Sequence, residues 1–111
     1  MTVNELISAT DAQVLSCGNL DRTVSCGYVC DLLSWVMARG KQDMAWVTVQ
    51  TNINVVAVAA LHDIACVIMP EGIKMEGEAL ERAKSENITV LSSMKNAYEL
   101  CGIIYSGGVK A

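Results

Sequence analysis

Residues 44–69 have the sequence MAWVTVQTNINVVAVAALHDIACVIM, and this stretch decides the fold class. Its two ends, 44–50 and 64–69, are apolar and rich in β-branched residues, which predicts two buried strands. The valines between them also favour a strand, but two parallel strands need a crossover of about a dozen residues, usually a helix. Because a polar N-cap residue is available at its start, we predict a buried helix over 52–62 that joins two parallel strands.

Helix and strand patterns continue on both sides of this unit. Thr2 and Glu5 have the spacing of a capping box, and apolar residues recur at helical spacing before Gly40. The other predicted elements are a helix over 2–8, a strand over 12–17, a polar loop over 19–27, and helices over 30–39, 76–86 and 95–105, with a short strand over 88–91. The alternation predicts a small α/β layered domain with a mainly parallel sheet flanked by helices.

Length, charge and cysteine usage limit the classes of protein. A chain of 111 residues fits one domain, 1–111, and its net charge of −4 without a basic cluster argues against a nucleic-acid surface. The longest apolar runs are far shorter than the roughly 20 residues of a spanning helix. Five cysteines with irregular spacing and no secretory signal favour reduced thiols in the cytoplasm. Since 52% of the residues are apolar, we also expect a homodimer.

No catalytic motif stands out. The sequence lacks G-x-G-x-x-G, and the spacing of Gly72 and Gly77 continues with Glu78-Ala79, where a P-loop needs Lys and then Ser or Thr. His62 is the sole histidine and the only candidate base of that type for a nucleophile. These observations predict a protein that is not an enzyme and has no cofactor.

Cys26 and Cys30 flank the predicted start of the helix over 30–39, where the pKa of a thiol falls. They are weak candidates for a redox pair or a metal site. Their spacing is not C-x-x-C, and buried free cysteines commonly act as small hydrophobes.

Two groups of small polar residues lie where strands lead into helices. Asp21-Arg22-Thr23 precedes Gly27, and Gln50-Thr51-Asn52 follows a strand, which is where open α/β sheets bind ligands. We expect the two groups to line one crevice. The alternative is structural: Asp21 and Arg22 pair to brace their loop, while Thr51 and Asn52 cap a helix.

These residues also carry a family resemblance. The segments LDRT (20–23), CGYVCDLLS (26–34), TVQTN (48–52) and VVAVA (55–59) resemble a DRTGG domain, over nearly the whole chain. Val24 and Ser25 occupy the places of the two name-giving glycines, and a related Gly-Gly of stand-alone members appears here as Cys26-Gly27. The resemblance implies a fold similar to the amino-terminal domain of HPr kinase/phosphorylases. In that family the kinase activity belongs to a separate P-loop domain.

The resemblance implies regulation, because DRTGG domains occur beside CBS domains in regulatory proteins. We therefore predict a non-catalytic regulatory or ligand-binding module that holds a small anionic or nucleotide-like ligand or a partner protein, with Arg22 supplying charge. The predicted ligand-binding residues are Asp21, Arg22, Thr23, Gly27, Gln50, Thr51 and Asn52. Stand-alone members often accompany iron-only hydrogenases, so the alternative is an accessory protein of hydrogenase assembly or electron transfer that uses Cys26 and Cys30.

Overall fold

A computed structural model describes residues 1–111 and contains five helices and five strands. The helices are α1 (Val3–Thr10), α2 (Leu33–Arg39), α3 (Ile53–His62), α4 (Gly77–Ser85) and α5 (Ala97–Ser106). The strands are β1 (Gln13–Ser16), β2 (Cys26–Val29), β3 (Met44–Val47), β4 (Cys66–Met69) and β5 (Val90–Ser92). None of the helices combines the length and the apolar character that crossing a membrane requires.

The five strands form one sheet in the order β1-β5-β4-β3-β2. The strands β2, β3, β4 and β5 are mutually parallel, and β1 pairs with β5 in the antiparallel sense. The predicted fold class, a small α/β domain with a mainly parallel sheet, is confirmed.

Helices cover both faces of the sheet. Successive residues of a strand point to opposite sides, so the buried strands present an apolar surface on each face. Trp46 and Val67 pack in a core with residues of α2, α3 and α4. Ala45 and Cys66 pack in a second core with residues of α1 and α5. The apolar runs of β3 and β4 are thus buried on both sides, as expected of central parallel strands.

Helix α3 confirms the helix that was predicted from the need for a crossover, although its valines favour a strand. The Asn52 side chain caps its start by accepting a hydrogen bond from the Asn54 amide, and the helix ends at Asp63 in the left-handed conformation (φ 53°). Val55 and Val56 are fully buried. Burial against the sheet therefore outweighs the weak helix propensity of valine.

Residues 26–29 depart from the prediction. The sequence predicts a loop over 19–27 and a helix over 30–39 with no strand between them, yet residues 26–29 form β2, and α2 begins only at Leu33. Each residue of β2 pairs with a residue of β3, and the indole Nε1 of Trp46 donates to the Cys30 carbonyl at 2.8 Å. A strand of four residues that contains a glycine has little local signal, so pairing with β3 decides its conformation.

Candidate functional site

The structure does not bring the two predicted polar groups together. In a parallel sheet all carboxyl ends of the strands meet at one edge and all amino ends at the other. Gln50-Thr51-Asn52 follows β3 and lies at the carboxyl edge, whereas Asp21-Arg22-Thr23 precedes β2 and lies at the amino edge. The single crevice expected from the sequence is therefore wrong.

Arg22 joins three loops at the amino edge of the sheet. Its Nε lies 2.6 Å from Oδ1 of Asp43, and its Nη1 lies 3.0 Å from Oδ1 of Asp63. The guanidinium also donates to the Asp63 carbonyl. Asp43 immediately precedes β3 and Asp63 lies just before β4, so these three residues, here called the amino-edge clamp, connect the starts of three adjacent strands.

The clamp leaves Arg22 little capacity to bind an anion. Burial by itself lowers the pKa of Arg22, but the hydrogen bonds with Asp43 and Asp63 raise it, and the net change is upward. Its side chain is only 22% exposed, and two carboxylates already face the guanidinium. An anionic ligand at this place would have to displace a carboxylate, so the geometry favours a bracing role.

The neighbours of Arg22 also have structural contacts. Asp21 Oδ1 accepts a hydrogen bond from the Asn4 amide at 3.2 Å instead of pairing with Arg22, and Thr23 forms an antiparallel bridge with Thr2. The structural alternative given by the sequence is that Asp21 and Arg22 pair to brace their loop. Both residues do brace it, but each pairs with residues outside the loop and not with the other.

At the carboxyl edge a hydrogen-bond network joins the loops that follow β2 and β3. Oδ1 of Asp31 accepts from the Thr48 hydroxyl and from the Val49 amide, both at 2.9 Å. The Gln50 side chain donates to the Asp31 carbonyl at 3.0 Å, and Asn52 donates to Oε1 of Gln50 at 3.4 Å. We call Asp31, Thr48, Gln50 and Asn52 the carboxyl-edge network.

The role of Asp31 is not visible in the sequence, because β2 has too little local pattern to be recognised as a strand. With β2 in place, Asp31 comes directly after the carboxyl end of a parallel strand, which is where polar site residues collect in open α/β sheets.

The surface around this network combines polar and apolar groups. Thr51 and Asn52 are exposed, and Leu32, Trp35 and Val49 are 56%, 49% and 42% exposed. Leu32 directly follows Asp31, the backbone amide of Val49 donates to Asp31, and Trp35 lies in the first turn of α2. The carboxyl edge thus offers exposed amide and hydroxyl groups, and α2, which begins two residues after Asp31, has an exposed indole in its first turn.

The structure separates the two candidate cysteines. Cys26 begins β2 and Cys30 follows it, so an extended chain places them about 13 Å apart. That distance is too long for a disulfide or for a shared metal ion. No group of three or more His, Cys, Asp or Glu side chains is arranged to hold a metal. The candidate redox or metal pair, weak on sequence grounds, is therefore not assembled.

Gly27 lies away from both polar groups. It occupies β2 and lines an apolar cavity between the sheet and α5. None of the other six predicted ligand-binding residues lines this cavity.

Comparison with known proteins supports the fold. No family model matches the chain, and no curated protein is similar to it at a significant level. A solved structure of the CBS and DRTGG domains of the regulatory region of a Clostridium perfringens pyrophosphatase, in complex with its activator diadenosine tetraphosphate, is similar with a TM-score of 0.72. The alignment has 13% sequence identity and covers 93% of this chain but 45% of that chain. The likeness shows that this chain shares its α/β fold with part of that two-domain region, and the chain spans less than half of that region's length.

Proposed function

We propose that this chain is a non-catalytic regulatory module that binds a small nucleotide-like ligand at the carboxyl edge of β2 and β3. The observation that carries the proposal is the carboxyl-edge network, in which the Gln50 and Asn52 side chains connect the loops that follow β2 and β3. Trp35, which is 49% exposed, lies in the first turn of α2, four residues after Asp31. The similar regulatory region of the pyrophosphatase was solved with a nucleotide activator, which supports this class of ligand.

The groups at this edge suit a nucleobase. Primary amides can donate to and accept from the edges of a base, and an indole supplies a surface on which a base can stack. One face of Trp35 is covered by the guanidinium of Arg39, which lies 4.8 Å from the ring centroid. About half of the Trp35 surface (49%) is exposed to solvent.

The same edge is poor in positive charge. The loops 30–32 and 48–52 contain no Lys or Arg, and Asp31 adds a negative charge. The positive end of the dipole of α3 and the Thr51 hydroxyl are the groups that favour a phosphate. We therefore expect recognition led by the base, with an affinity that changes little between adenosine, AMP and ATP.

Titrations followed by amide and indole NMR signals test the proposal, with adenosine, AMP, ATP and diadenosine tetraphosphate as probes. We expect shifts confined to residues 48–54 and to the Trp35 indole. Gln50→Ala should weaken binding about tenfold, the effect of losing one or two hydrogen bonds to the ligand. Asn52→Ser should also weaken binding while keeping the oxygen that caps α3.

The matched control is Gln42→Ala, which removes a glutamine amide at the opposite edge and should leave binding unchanged. Gln42 donates to Oδ2 of Asp63 at 3.2 Å and is remote from the carboxyl-edge network. The nucleotide proposal would be refuted if none of the four probes shifts these signals at about 10 mM, because binding that weak could not serve regulation.

The exposed apolar side chains favour a second candidate, in which the carboxyl edge binds a protein, including a second copy of this chain. Val29, Leu32 and Trp35, at the end of β2 and the start of α2, are 53%, 56% and 49% exposed, and exposed apolar patches mark interaction surfaces. If the chain forms a homodimer here, sedimentation should show a dimer for the wild type and a monomer for Trp35→Ser. A monomeric wild type at high concentration would count against self-association.

A further inference from the structure

An apolar cavity of about 150 Å³ lies between β2, β3 and α5, closed on one side by residues 109–111. Its walls are made mainly by Ala45, Val47, Ile104 and Val109, which are all buried. A space of this volume with an apolar lining can accept a group about the size of benzene. The cavity has therefore the volume and the lining for a small apolar group.

The glycine at the base of the cavity is not required by the fold. Gly27 has no positive φ, and a Cβ built there would lie 3.8 Å from both Ile104 and Val109, which is ordinary van der Waals contact. Glycine weakens a strand interior and often marks a place where another group approaches closely. An alanine would place its methyl group in the cavity without a clash, so the absence of a Cβ at position 27 keeps this space open.

The mouth of the cavity has one charged side chain. Lys110 is the only lining residue with a charged side chain. Its Nζ lies 3.7 Å from the centroid of the Tyr105 ring and 3.2 Å from the Tyr105 carbonyl oxygen. The Lys110 carbonyl also accepts a hydrogen bond from the Gly27 amide at 2.8 Å, which holds this segment against β2. An ammonium group has three donors, so it can still bind a carboxylate.

We propose that this cavity is a binding site for a small carboxylic acid with an apolar body, such as an aromatic ring or a branched chain, whose carboxylate pairs with Lys110. Burial raises the pKa of Cys101, so its thiol lines the cavity as a neutral group. The site lies on the α5 face of the sheet, and its test is independent of the nucleotide proposal.

NMR titration with phenylacetate, and with phenylacetamide as its neutral counterpart, tests the proposal. We expect methyl shifts of Val47, Ile104 and Val109 and intermolecular NOEs from the ring to these methyl groups. Phenylacetamide should bind about fivefold more weakly than phenylacetate, because it lacks one exposed ion pair. Lys110→Met should remove that difference between the two probes.

Gly27→Ala should weaken the binding of phenylacetate about tenfold, because a methyl group then occupies space needed by the ring. Gly102→Ala is the matched control, since a Cβ there meets nothing within 4 Å and Gly102 does not line the cavity; it should bind as the wild type does. The proposal is overturned if wild-type protein shows no NOEs at about 10 mM phenylacetate, or if folded Gly27→Ala binds it with unchanged affinity.

Discussion

Replacing Arg22 with alanine should destabilise the fold by about 2–3 kcal/mol. The hydrogen bond to Asp43 joins two charged groups that are 22% and 37% exposed, and a bond of this kind contributes about 2 kcal/mol. The pair with Asp63 adds less than about 1 kcal/mol, because 63% of that aspartate is exposed. For a domain of this size the loss corresponds to a Tm lower by roughly 10 °C.

Urea unfolding followed by the fluorescence of the buried Trp46 measures this loss. The control is Arg82→Ala, which removes an exposed i,i+4 pair with Glu86 and should cost only about 0.3–0.5 kcal/mol. Arg22→Lys keeps the charge but not the fork of donors, so its free energy of unfolding should lie between those of the wild type and Arg22→Ala. Equal, small losses for Arg22→Ala and Arg82→Ala would refute the bracing role of the amino-edge clamp.

Three further predictions follow from burial and spacing. Burial raises the pKa of Cys66 from 9.0 to about 12. The unfolded chain therefore releases this proton first, and stability should fall as pH rises from about 9 toward 12; alkaline unfolding curves should show that this fall is smaller in Cys66→Ala. Mild oxidation should yield no intrachain Cys26–Cys30 disulfide, and peptide mapping that finds one would contradict the separation of these thiols by β2. Gly18→Ala should lose about 1–3 kcal/mol in thermal unfolding, since its Cβ would lie 2.4 Å from a backbone oxygen, whereas Gly102→Ala should not be destabilised.

The fold class was accessible from the sequence because its signals are local or periodic. The strand–helix–strand pattern over 44–69 requires a crossover, so α3 could be predicted despite its valines. The Thr2–Glu5 capping box forms as its spacing indicates, and Asn52 caps α3. These features depend on residues a few positions apart, which a sequence displays directly.

The candidate site was only partly accessible. Gln50, Thr51 and Asn52 were recognised because they directly follow a strong strand signal, and the structure places them in or beside the carboxyl-edge network. Asp31 was missed because its position depends on β2, whose short sequence has no pattern of its own. The cavity beside Gly27 could not be predicted, since it is formed by strands and a helix that are distant in sequence.

The sequence by itself determined the alternation of strands and helices, the helix caps and the resemblance to a DRTGG domain. Only the tertiary structure decided which polar groups meet. Arg22 lies 21 and 41 residues from its partners Asp43 and Asp63, and no local pattern specifies contacts at such separations. The parallel sheet brings the loops before β2, β3 and β4 to one edge and sends Gln50 to the other, because in parallel strands all amino ends share one edge.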